Sequence, residues 1–404
     1  MELNLERIKK AQETIKDVVR KTPLFYTSTF SKQCGCNLYL KCENKQKTGA
    51  FKLRGAYNKV ANLTEEEKSR GVIASSAGNH AQGVAYAATA FGVKATIAMP
   101  VTAPQAKVQA TKGYGADVIQ AGQVYDECYA KAVEVQKETG ATFLHPFNDI
   151  DVMAGQGTIG VEILEELPNT DVIVVPIGGG GLIAGIATAA KAIKPSIRII
   201  GVQPEIVAST KASLEKGKVV TLPGAKSLAD GISVSTPGDV CFEYIKKYVD
   251  EVVTVSEDDI AYGMFSLMER NKLVAEGAGA SAIGSLLAGK VSGIEGKNVV
   301  ALISGGNVDI ATVSKIIERE LVLLNRRLRF TAELQDKAGT LGELISEIGK
   351  MGGNVVTARQ NNNWNEKGLD FADVSFEVTV QSAEHGEQII KDLKEKGYSI
   401  ELHK

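Results

Sequence analysis

The stretch DVIVVPIGGGGLIAGIATAA, residues 171–190, places four consecutive glycines between two apolar segments. Val172–Ile177 predicts a buried strand and Leu182–Ala190 a helix, so Gly178–Gly181 forms the turn that joins them. Backbone N–H groups without side chains, at the positive end of a helix, bind phosphate. The stretch therefore predicts that the chain holds a phosphorylated small molecule.

Apolar runs alternate with helical segments on both sides of this turn, from about Tyr39 to Asn307. The predicted strands are Gly71–Ser75, Ala95–Met99, Asp117–Gln120, Asp171–Ile177, Ile197–Gln203 and Asn298–Ser304. The predicted helices include Ala81–Phe91, Ala103–Gly113, Tyr125–Thr139, Ala154–Leu167 and Leu182–Ile193. Continuously apolar strands that alternate with helices indicate an α/β fold, in which helices cover both faces of parallel sheets. Ligands of such folds lie at the carboxyl ends of the strands, where the turns Ser75–His80, Gly178–Gly181 and Ser304–Asn307 begin.

The pattern changes after a helix near Val313–Leu324. Strands are predicted at Arg327–Glu333, Asn354–Arg359, Val374–Val380 and Tyr398–Leu402. Helices are predicted around Leu341–Ile348 and Glu384–Lys396. This βαββαβ order predicts a small ferredoxin-like domain.

Composition narrows the class of protein. The 404 residues are 44% hydrophobic and 23% charged, which is typical of a soluble globular protein with two or three domains. A net charge of -2 leaves no basic excess for nucleic acid. Val172–Ala190 is uncharged, but its glycines and Pro176 favour a strand, turn and helix over a membrane span. Met1–Arg20 has no apolar signal core, so a cytoplasmic protein is expected.

The chain has five cysteines, an odd count that suggests a reducing compartment. Cys34, Cys36 and Cys42 lie close enough in sequence to suggest a metal site. No fourth ligand of a suitable type lies nearby, so free thiols are favoured.

Lys52 lies at the start of a predicted helix, within the turn-rich segment Lys47–Gly55. A lysine in isolation is usually a solvated surface residue. At the edge of an apolar phosphate pocket, however, desolvation lowers the pKa of the amine and makes it a nucleophile toward an aldehyde. Ser75–His80 offers hydroxyls and a helix N-terminus that can cap the helix, hold a carboxylate, or do both. Ser304–Asn307 follows a buried strand and could be simply a tight turn.

The combination of these motifs, in this order, resembles the fold-type II pyridoxal-phosphate enzymes, whose fold is that of the tryptophan synthase β subunit. The motifs are TGAFKLRGA at 48–56, ASSAGNH at 74–80, GGGGL at 178–182 and SGGN at 304–307. The residues in these motifs are similar to those of the threonine ammonia-lyase and serine racemase branch. The resemblance covers about Leu5–Leu324.

The resemblance implies the cofactor pyridoxal 5'-phosphate and a set of site residues. The cofactor-binding residues that it implies are Phe51, Lys52, Asn79, Gly178, Gly179, Gly180, Gly181, Leu182 and Ser304. The substrate-binding residues that it implies are Ser75, Ser76, Ala77, Gly78, Asn79 and His80. Lys52 would be the catalytic residue, bonding covalently to the cofactor aldehyde and later removing the Cα proton of the substrate.

The other roles also follow from the resemblance. Asn79 would donate to the phenolic oxygen of the cofactor, and the glycine turn would donate to its phosphate. Phe51 would pack against the ring or simply fill the core. Ser304 would face the ring nitrogen; a serine there leaves the nitrogen unprotonated, which makes the ring a weaker electron sink and favours elimination of a β-hydroxyl.

Two features depart from the racemase pattern, and the first of them favours dehydration. Ala77 stands where racemases of this group place a second serine as a base on the opposite face of the substrate. The metal-binding carboxylates of racemase-like members are not matched at Val202–Ser209, so no metal is expected. The resemblance thus implies conversion of L-threonine to 2-oxobutanoate and ammonia. L-Serine would be a side substrate, since a pocket for one methyl group discriminates by only about 1–3 kcal/mol.

The C-terminal segment resembles an ACT domain, a small amino-acid-sensing module, through Asp336–Leu341. The expected division is a catalytic domain at 1–324, with a smaller subdomain at about 71–150, and an ACT domain at 325–404. This arrangement matches the medium-length form of threonine ammonia-lyases. It implies an amino-acid or nucleotide effector and a homodimer or homotetramer.

Three alternatives remain open. Serine dehydratase or racemase activity belongs to the same branch. A nicotinamide oxidoreductase would explain the relaxed dinucleotide fingerprint Gly179-x-Gly181-x-x-Ala184 with Gln203 or Glu205 after it, but not Lys52, Asn79 and Ser304. A non-catalytic amino-acid sensor would explain the C-terminal domain but not the intact set of site residues.

Overall fold

The computed structural model describes residues 2–361 and 370–403. The chain forms two compact units, Met1–Val308 and Asp309–Lys404. The helix at Ile310–Leu323 groups with the second unit, whereas the sequence placed it at the end of the first. That helix contacts the first strand of the second unit. Within the described part of the chain, no helix has both the length and the apolar character needed to cross a membrane.

Ten strands build the sheets of the first unit. They are β1 (Leu24–Tyr26), β2 (Asn37–Cys42), β3 (Val72–Ser75), β4 (Ala95–Met99), β5 (Asp117–Gln120), β6 (Thr142–Phe143), β7 (Val172–Pro176), β8 (Arg198–Pro204), β9 (Glu251–Val255) and β10 (Asn298–Ile303). A six-stranded sheet has the order β1-β2-β10-β7-β8-β9, and only β1 runs antiparallel to its neighbour. A four-stranded parallel sheet has the order β5-β4-β3-β6. The smaller sheet falls between β2 and β7 in the chain.

Helices cover both sheets. In the first unit they are α1 (Leu5–Ile15), α2 (Ser28–Cys34), α3 (Lys52–Ala61), α4 (Glu65–Arg70), α5 (Asn79–Ala90), α6 (Gln105–Gly113), α7 (Tyr125–Thr139), α8 (Ile150–Glu166), α9 (Gly181–Ile193), α10 (Ser209–Lys216), α11 (Asp239–Tyr248), α12 (Glu257–Ser266) and α13 (Gly277–Leu287). Side-chain caps fix several starts: Asp149 accepts from the first turn of α8, and Ser256 forms a capping box with Asp259 in α12.

The six strands predicted from the sequence are confirmed, and so is the α/β fold with parallel sheets. Strands β1, β2, β6 and β9 were not predicted. β1 and β6 are only three and two residues long. β2 contains Lys41, which is fully buried, so a charged residue interrupts the apolar pattern of an interior strand.

The second unit begins with α14 (Ile310–Leu323). It continues with β11 (Arg327–Gln335), α15 (Thr340–Lys350), β12 (Asn354–Asn361), β13 (Phe371–Thr379), α16 (Ala383–Glu395) and β14 (Ser399–His403). The antiparallel sheet has the order β12-β13-β11-β14, which confirms the ferredoxin-like arrangement. Phe330 and Phe376 stack at the centre of its core with ring centroids 5.1 Å apart.

Candidate active site

Lys52 is the first residue of α3, and its amine points into the protein. The Nζ atom donates to the carbonyl oxygen of Pro146 at 2.7 Å. Burial lowers the pKa of Lys52 to about 8, against partial opposition from Cys241 and Glu276. A substantial fraction of the amine is therefore neutral near pH 8, which is the state that attacks an aldehyde.

The glycine turn lies at the carboxyl end of β7 and at the start of α9, as the sequence predicted. Gly180 has φ 99°, a conformation that favours glycine. A Cβ on Gly179 would lie 2.3 Å from the Phe147 ring, and one on Gly181 would lie 2.6 Å from the Phe147 carbonyl oxygen. Only bare backbone fits here. Because Pro146 and Phe147 are consecutive, one short segment touches both the Lys52 amine and the glycine turn.

The turn after β10 lies against the lysine loop. The Phe51 N–H donates to the Ser304 carbonyl oxygen at 3.1 Å, and Ala50 forms a bridge with Gly305. Ser304 is only 3% exposed. The structure thus brings Ser304 against the loop that contains Lys52, although some 250 residues separate the two in the sequence.

Asn79, the first residue of α5, is held by two partners. Its Nδ2 donates to Glu276 Oε1 at 2.7 Å, and its Oδ1 accepts from Asn307 Nδ2 at 2.7 Å. Asn307 Nδ2 also donates to the Thr48 carbonyl oxygen at 2.8 Å. These contacts fix which way the Asn79 amide points, and they leave the second N–H of Nδ2 for another acceptor.

Glu276 is a buried carboxyl group directly beside this asparagine. Burial raises the pKa of Glu276 to about 7, the Asp230 carboxylate adds to the rise, and the hydrogen bond from Asn79 opposes it. Glu276 therefore changes its protonation near neutral pH.

Two histidines near the site are neutral at physiological pH. Burial and the nearby Lys52 charge lower the pKa of His80 to about 3 and that of His145 to about 4. His80 Nε2 donates to the Leu144 carbonyl oxygen at 2.9 Å, and His145 Nδ1 accepts from the Asn148 N–H at 2.9 Å. Neither ring supplies a cation to the site.

The loop at the end of β3 contains the predicted substrate-binding residues. The Ser76 hydroxyl accepts from the Gly78 N–H at 3.2 Å, which bends the loop into the start of α5. Ala77 packs against the core of the smaller sheet. The Ser75 hydroxyl is buried and has no hydrogen-bond partner within the described residues.

Two predicted cofactor-binding residues belong mainly to the core. Leu182 is 7% exposed and lies within the core of the larger sheet, with its backbone in the first turn of α9. Phe51 is partly buried against that core, and its ring centroid lies 5.3 Å from the Lys52 amine. A packing role and a cofactor contact are compatible for both residues.

The site residues fit pyridoxal phosphate in three respects. The Lys52 amine is buried and has a lowered pKa, the glycine turn presents backbone at a helix N-terminus, and Asn79 has a spare donor. Ser75 Oγ and His80 Nδ1 are buried polar atoms without a partner among the described residues, as expected beside a polar ligand. Lys52 would hold the aldehyde, the glycine turn the phosphate, Asn79 the phenolic oxygen and Ser304 the ring nitrogen.

Sequence reasoning missed Glu276, Phe147 and His145. Glu276 precedes a helix, where a glutamate is ordinary. Its contact with Asn79 joins residues 197 positions apart, and no local pattern signals it.

Val202–Ser209, which the sequence comparison set against the racemase metal site, contains a residue that caps a helix. Gln203 Oε1 accepts from the Thr210 and Lys211 N–H groups at the start of α10. All five cysteines are free thiols.

The chain is similar to pyridoxal-phosphate enzymes in sequence and in structure. A protein-family model described as pyridoxal-phosphate dependent enzyme matches residues 15–305. An L-threonine ammonia-lyase of Thermotoga maritima is 48% identical over 400 residues, 99% of each chain. The processed form of threonine deaminase isoform 2 from Solanum lycopersicum has a TM-score of 0.75 at 39% identity, covering 78% of this chain and 87% of its own. Maize serine racemase has a TM-score of 0.75 at 38% identity, and the match covers 80% of this chain and 98% of the racemase chain.

Proposed function

Because this chain belongs to the family of pyridoxal-phosphate dependent enzymes, we propose that it is an ammonia-lyase that converts L-threonine to 2-oxobutanoate and ammonia. One observation carries the proposal most directly. Four motifs that are distant in sequence meet at the loop that carries the buried Lys52: Pro146 and Phe147 join the Lys52 amine to the glycine turn, and Ser304 and Asn307 contact the lysine loop. The 48% identity to a threonine ammonia-lyase, which extends over 99% of both chains, supports threonine as the substrate.

The chain's own residues divide the work of the reaction. Pyridoxal phosphate, when bound, supplies an electron-withdrawing ring that acidifies the Cα proton of the amino acid. We assign removal of that proton to the neutral Nζ of Lys52, because its pKa of about 8 keeps a reactive fraction unprotonated. The glycine turn binds the phosphate through backbone N–H groups, and Asn79 donates its spare N–H to the ring oxygen.

We infer that elimination is favoured over racemisation because of the residue at position 77, which the resemblance to racemases assigns to the substrate face opposite Lys52. Racemisation needs a second group that can return a proton to the other face of Cα. Ala77 has no exchangeable side-chain proton, and we infer that it makes this return inefficient. The similarity to maize serine racemase reflects a shared fold, and the serine racemase or dehydratase alternative is ranked second.

The finer properties belong to the same proposal. L-Serine is a side substrate, since the missing methyl group changes binding by only about 1–3 kcal/mol. The C-terminal unit is an ACT domain that binds an amino-acid or nucleotide effector, and the enzyme is a homodimer or homotetramer. We place it in the cytoplasm, consistent with five free thiols, and favour a role in isoleucine biosynthesis.

The test is a product assay on the purified chain supplied with pyridoxal phosphate. We expect equal amounts of ammonia and 2-oxobutanoate from L-threonine, and slower pyruvate formation from L-serine. No ammonia from either amino acid would favour the non-catalytic sensor. D-Serine formed faster than pyruvate would favour a racemase, and oxidation of NADH by 2-oxobutanoate would favour an oxidoreductase.

A further inference from the structure

A cluster of buried charges lies two residues from the reactive lysine. The Arg54 side chain is fully buried and makes a fork-shaped contact with each of two carboxylates. Arg54 Nε and one terminal nitrogen donate to Glu43 at 2.8 Å each. Its terminal nitrogens also donate to Glu162 at 2.6 and 3.0 Å. Burial disfavours the charge of Arg54, but the two carboxylates outweigh that and raise its pKa.

The cluster continues away from the site through a second buried cation. Lys41 in β2 contacts Glu162 at 2.8 Å and Glu166 at 3.1 Å, and it donates to the Thr22 carbonyl oxygen at 2.9 Å. Arg54 lies on the helix that begins with Lys52, whereas the partners of Lys41 within the described part of the chain are Thr22, Glu162 and Glu166, none of which belongs to that helix. The two cations therefore share a carboxylate but differ in what they hold.

Stability alone does not account for such a cluster. Removing ions from water is costly, and well-packed apolar residues often stabilise a core as well as a buried ion pair does. Fork-shaped contacts restrict the relative position of the two side chains, since a guanidinium donates two parallel hydrogen bonds to a carboxylate only within a narrow range of positions. Arg54 therefore fixes the position of its helix relative to Glu43, just after β2, and to Glu162 on α8.

The first turn of α3 is already closely packed by backbone. A Cβ on Gly83 of α5 would lie 3.2 Å from the Lys52 carbonyl group, and one on Gly155 of α8 would lie 2.5 Å from the Arg54 carbonyl oxygen. Gly55 N–H donates to the Gln156 side chain at 3.2 Å. Backbone contacts limit how close these helices come, while the Arg54 fork resists sliding and rotation of α3.

We propose that Arg54 is a positioning residue: its paired contacts with Glu43 and Glu162 aim the Lys52 amine at the cofactor aldehyde. Only the measurement of kcat and KM rests on the proposed lyase function. Capture of the cofactor by Lys52 needs no threonine. A chain that captures the cofactor but releases no ammonia would therefore refute the lyase function and leave this inference intact.

The test compares Arg54→Lys with Lys41→Met in the full chain. Arg54→Lys keeps the charge and loses the fork, whereas Lys41→Met removes a buried cation of the same cluster that is not bonded to α3. Glu43→Gln serves as a second test variant, because it keeps the shape of the partner if Arg54→Lys fails to fold. For each protein we measure the thermal unfolding midpoint, the pH dependence of borohydride-trapped cofactor at Lys52 by peptide mass spectrometry, and kcat and KM for threonine.

We expect Arg54→Lys and Glu43→Gln to move the trapping midpoint away from the wild-type value and to lower kcat by up to about 10²-fold, because a misplacement of about 1 Å has an effect of that size. Lys41→Met should lower the unfolding midpoint while keeping the trapping midpoint and kcat close to wild type. Test variants that match Lys41→Met in trapping and kcat would overturn the proposal. Equal shifts in all three variants would overturn it as well, since they would indicate a general loss of stability.

Discussion

The reactivity of Lys52 depends on its pKa, which burial lowers and two neighbouring groups raise. Burial lowers its pKa to about 8 from an ordinary value of 10.5, although Cys241 and Glu276 oppose the shift. The neutral amine is the nucleophile, so its capture of an aldehyde rises with pH and levels off above the pKa.

We therefore predict that borohydride-trapped cofactor at Lys52 increases through a midpoint near pH 8. The trapped peptide is quantified after brief exposure of cofactor-free protein to pyridoxal phosphate at each pH. Lys52→Ala is the control and should give no adduct in this peptide and no threonine turnover. A midpoint close to 10.5 would show that the amine is solvated, contrary to its contact with Pro146.

Glu276 gives stability a pH dependence of a definite sign. The folded chain keeps the Glu276 proton up to about pH 7, whereas the ordinary value is 4.5. Between these values the folded state binds more protons than the unfolded state. The contribution of Glu276 to the free energy of unfolding therefore falls as pH rises from about 4.5 to 7, and it stays low above that range.

Glu276→Gln should remove this dependence while keeping an acceptor for Asn79. We expect the variant to gain stability relative to wild type as pH rises, reaching up to about 3 kcal/mol at pH 8 and vanishing near pH 4.5. Urea unfolding of the cofactor-free proteins at several pH values measures the difference. A difference that stays constant with pH would refute the raised pKa.

A substitution at Ala77 can distinguish the two candidate activities, elimination and racemisation. It lies in the loop between β3 and Asn79, and the proposed function assigns to a hydroxyl at this position the return of a proton to Cα. Ala77→Ser should add slow formation of D-serine from L-serine, detected by chiral chromatography of recovered substrate. Wild type treated in parallel is the control, and an unchanged enantiomeric ratio in the variant would weaken the assigned role of this position.

The candidate cofactor-binding residues could be named from the sequence because short motifs carry them. Lys52, Asn79, the glycine turn and Ser304 each lie in a local pattern, and the structure brings them together. Whether each binds as assigned stays a prediction. Glu276 and Phe147 could not be predicted, because a buried carboxyl and a ring against glycine acquire their meaning only through contacts between distant segments.

At the scale of elements, α3 and α8 cross near Lys52 with their backbones in close contact. A Cβ on Gly155 would lie 2.5 Å from the Arg54 carbonyl oxygen and 2.6 Å from Gly55 Cα. These atoms belong to backbone, which cannot move aside without shifting a helix. The distance between the two helices is therefore set by glycine.

Gly155→Ala should push α3 away from α8 and destabilise the first unit by about 1–3 kcal/mol. Gly113→Ala, at the last residue of α6, is the matched control because a Cβ there meets nothing within 4 Å. The control should be neutral or slightly stabilising. The free energy of unfolding is measured for both, and a Gly155→Ala chain as stable as wild type would contradict the close crossing.

The elements that could be predicted are those with a continuous pattern. Strand β7 is apolar throughout, β10 is apolar after Asn298, and the alternation of β13 shows which face lies on the core. β2 could not be predicted, because it buries Lys41 in the same sheet and satisfies that charge with Glu162 on α8. Charged residues in a sequence usually indicate exposed positions, so a buried ion pair cannot be recognised before the positions of both partners are known.

At the scale of the whole molecule, the two units have different kinds of architecture. The first contains the four motifs around Lys52, and the second is a ferredoxin-like unit with its own core. Maize serine racemase is matched over 98% of its length by only 80% of this chain, so a protein of this fold exists without the remaining fifth. The proposed function assigns separate roles to the two units, catalysis to the first and regulation to the second.

Deleting residues 326–404 should therefore retain threonine deamination and remove any response to isoleucine or valine. The reason is that every residue assigned to the reaction lies before Val308, while the proposed effector site lies in the ferredoxin-like unit. Ammonia release is titrated with each amino acid at subsaturating threonine, and the full-length chain is the control. If the full-length enzyme ignores both effectors, the regulatory role assigned to the second unit fails. If the shortened chain still responds, the effector binds in the first unit, and the division of roles is wrong.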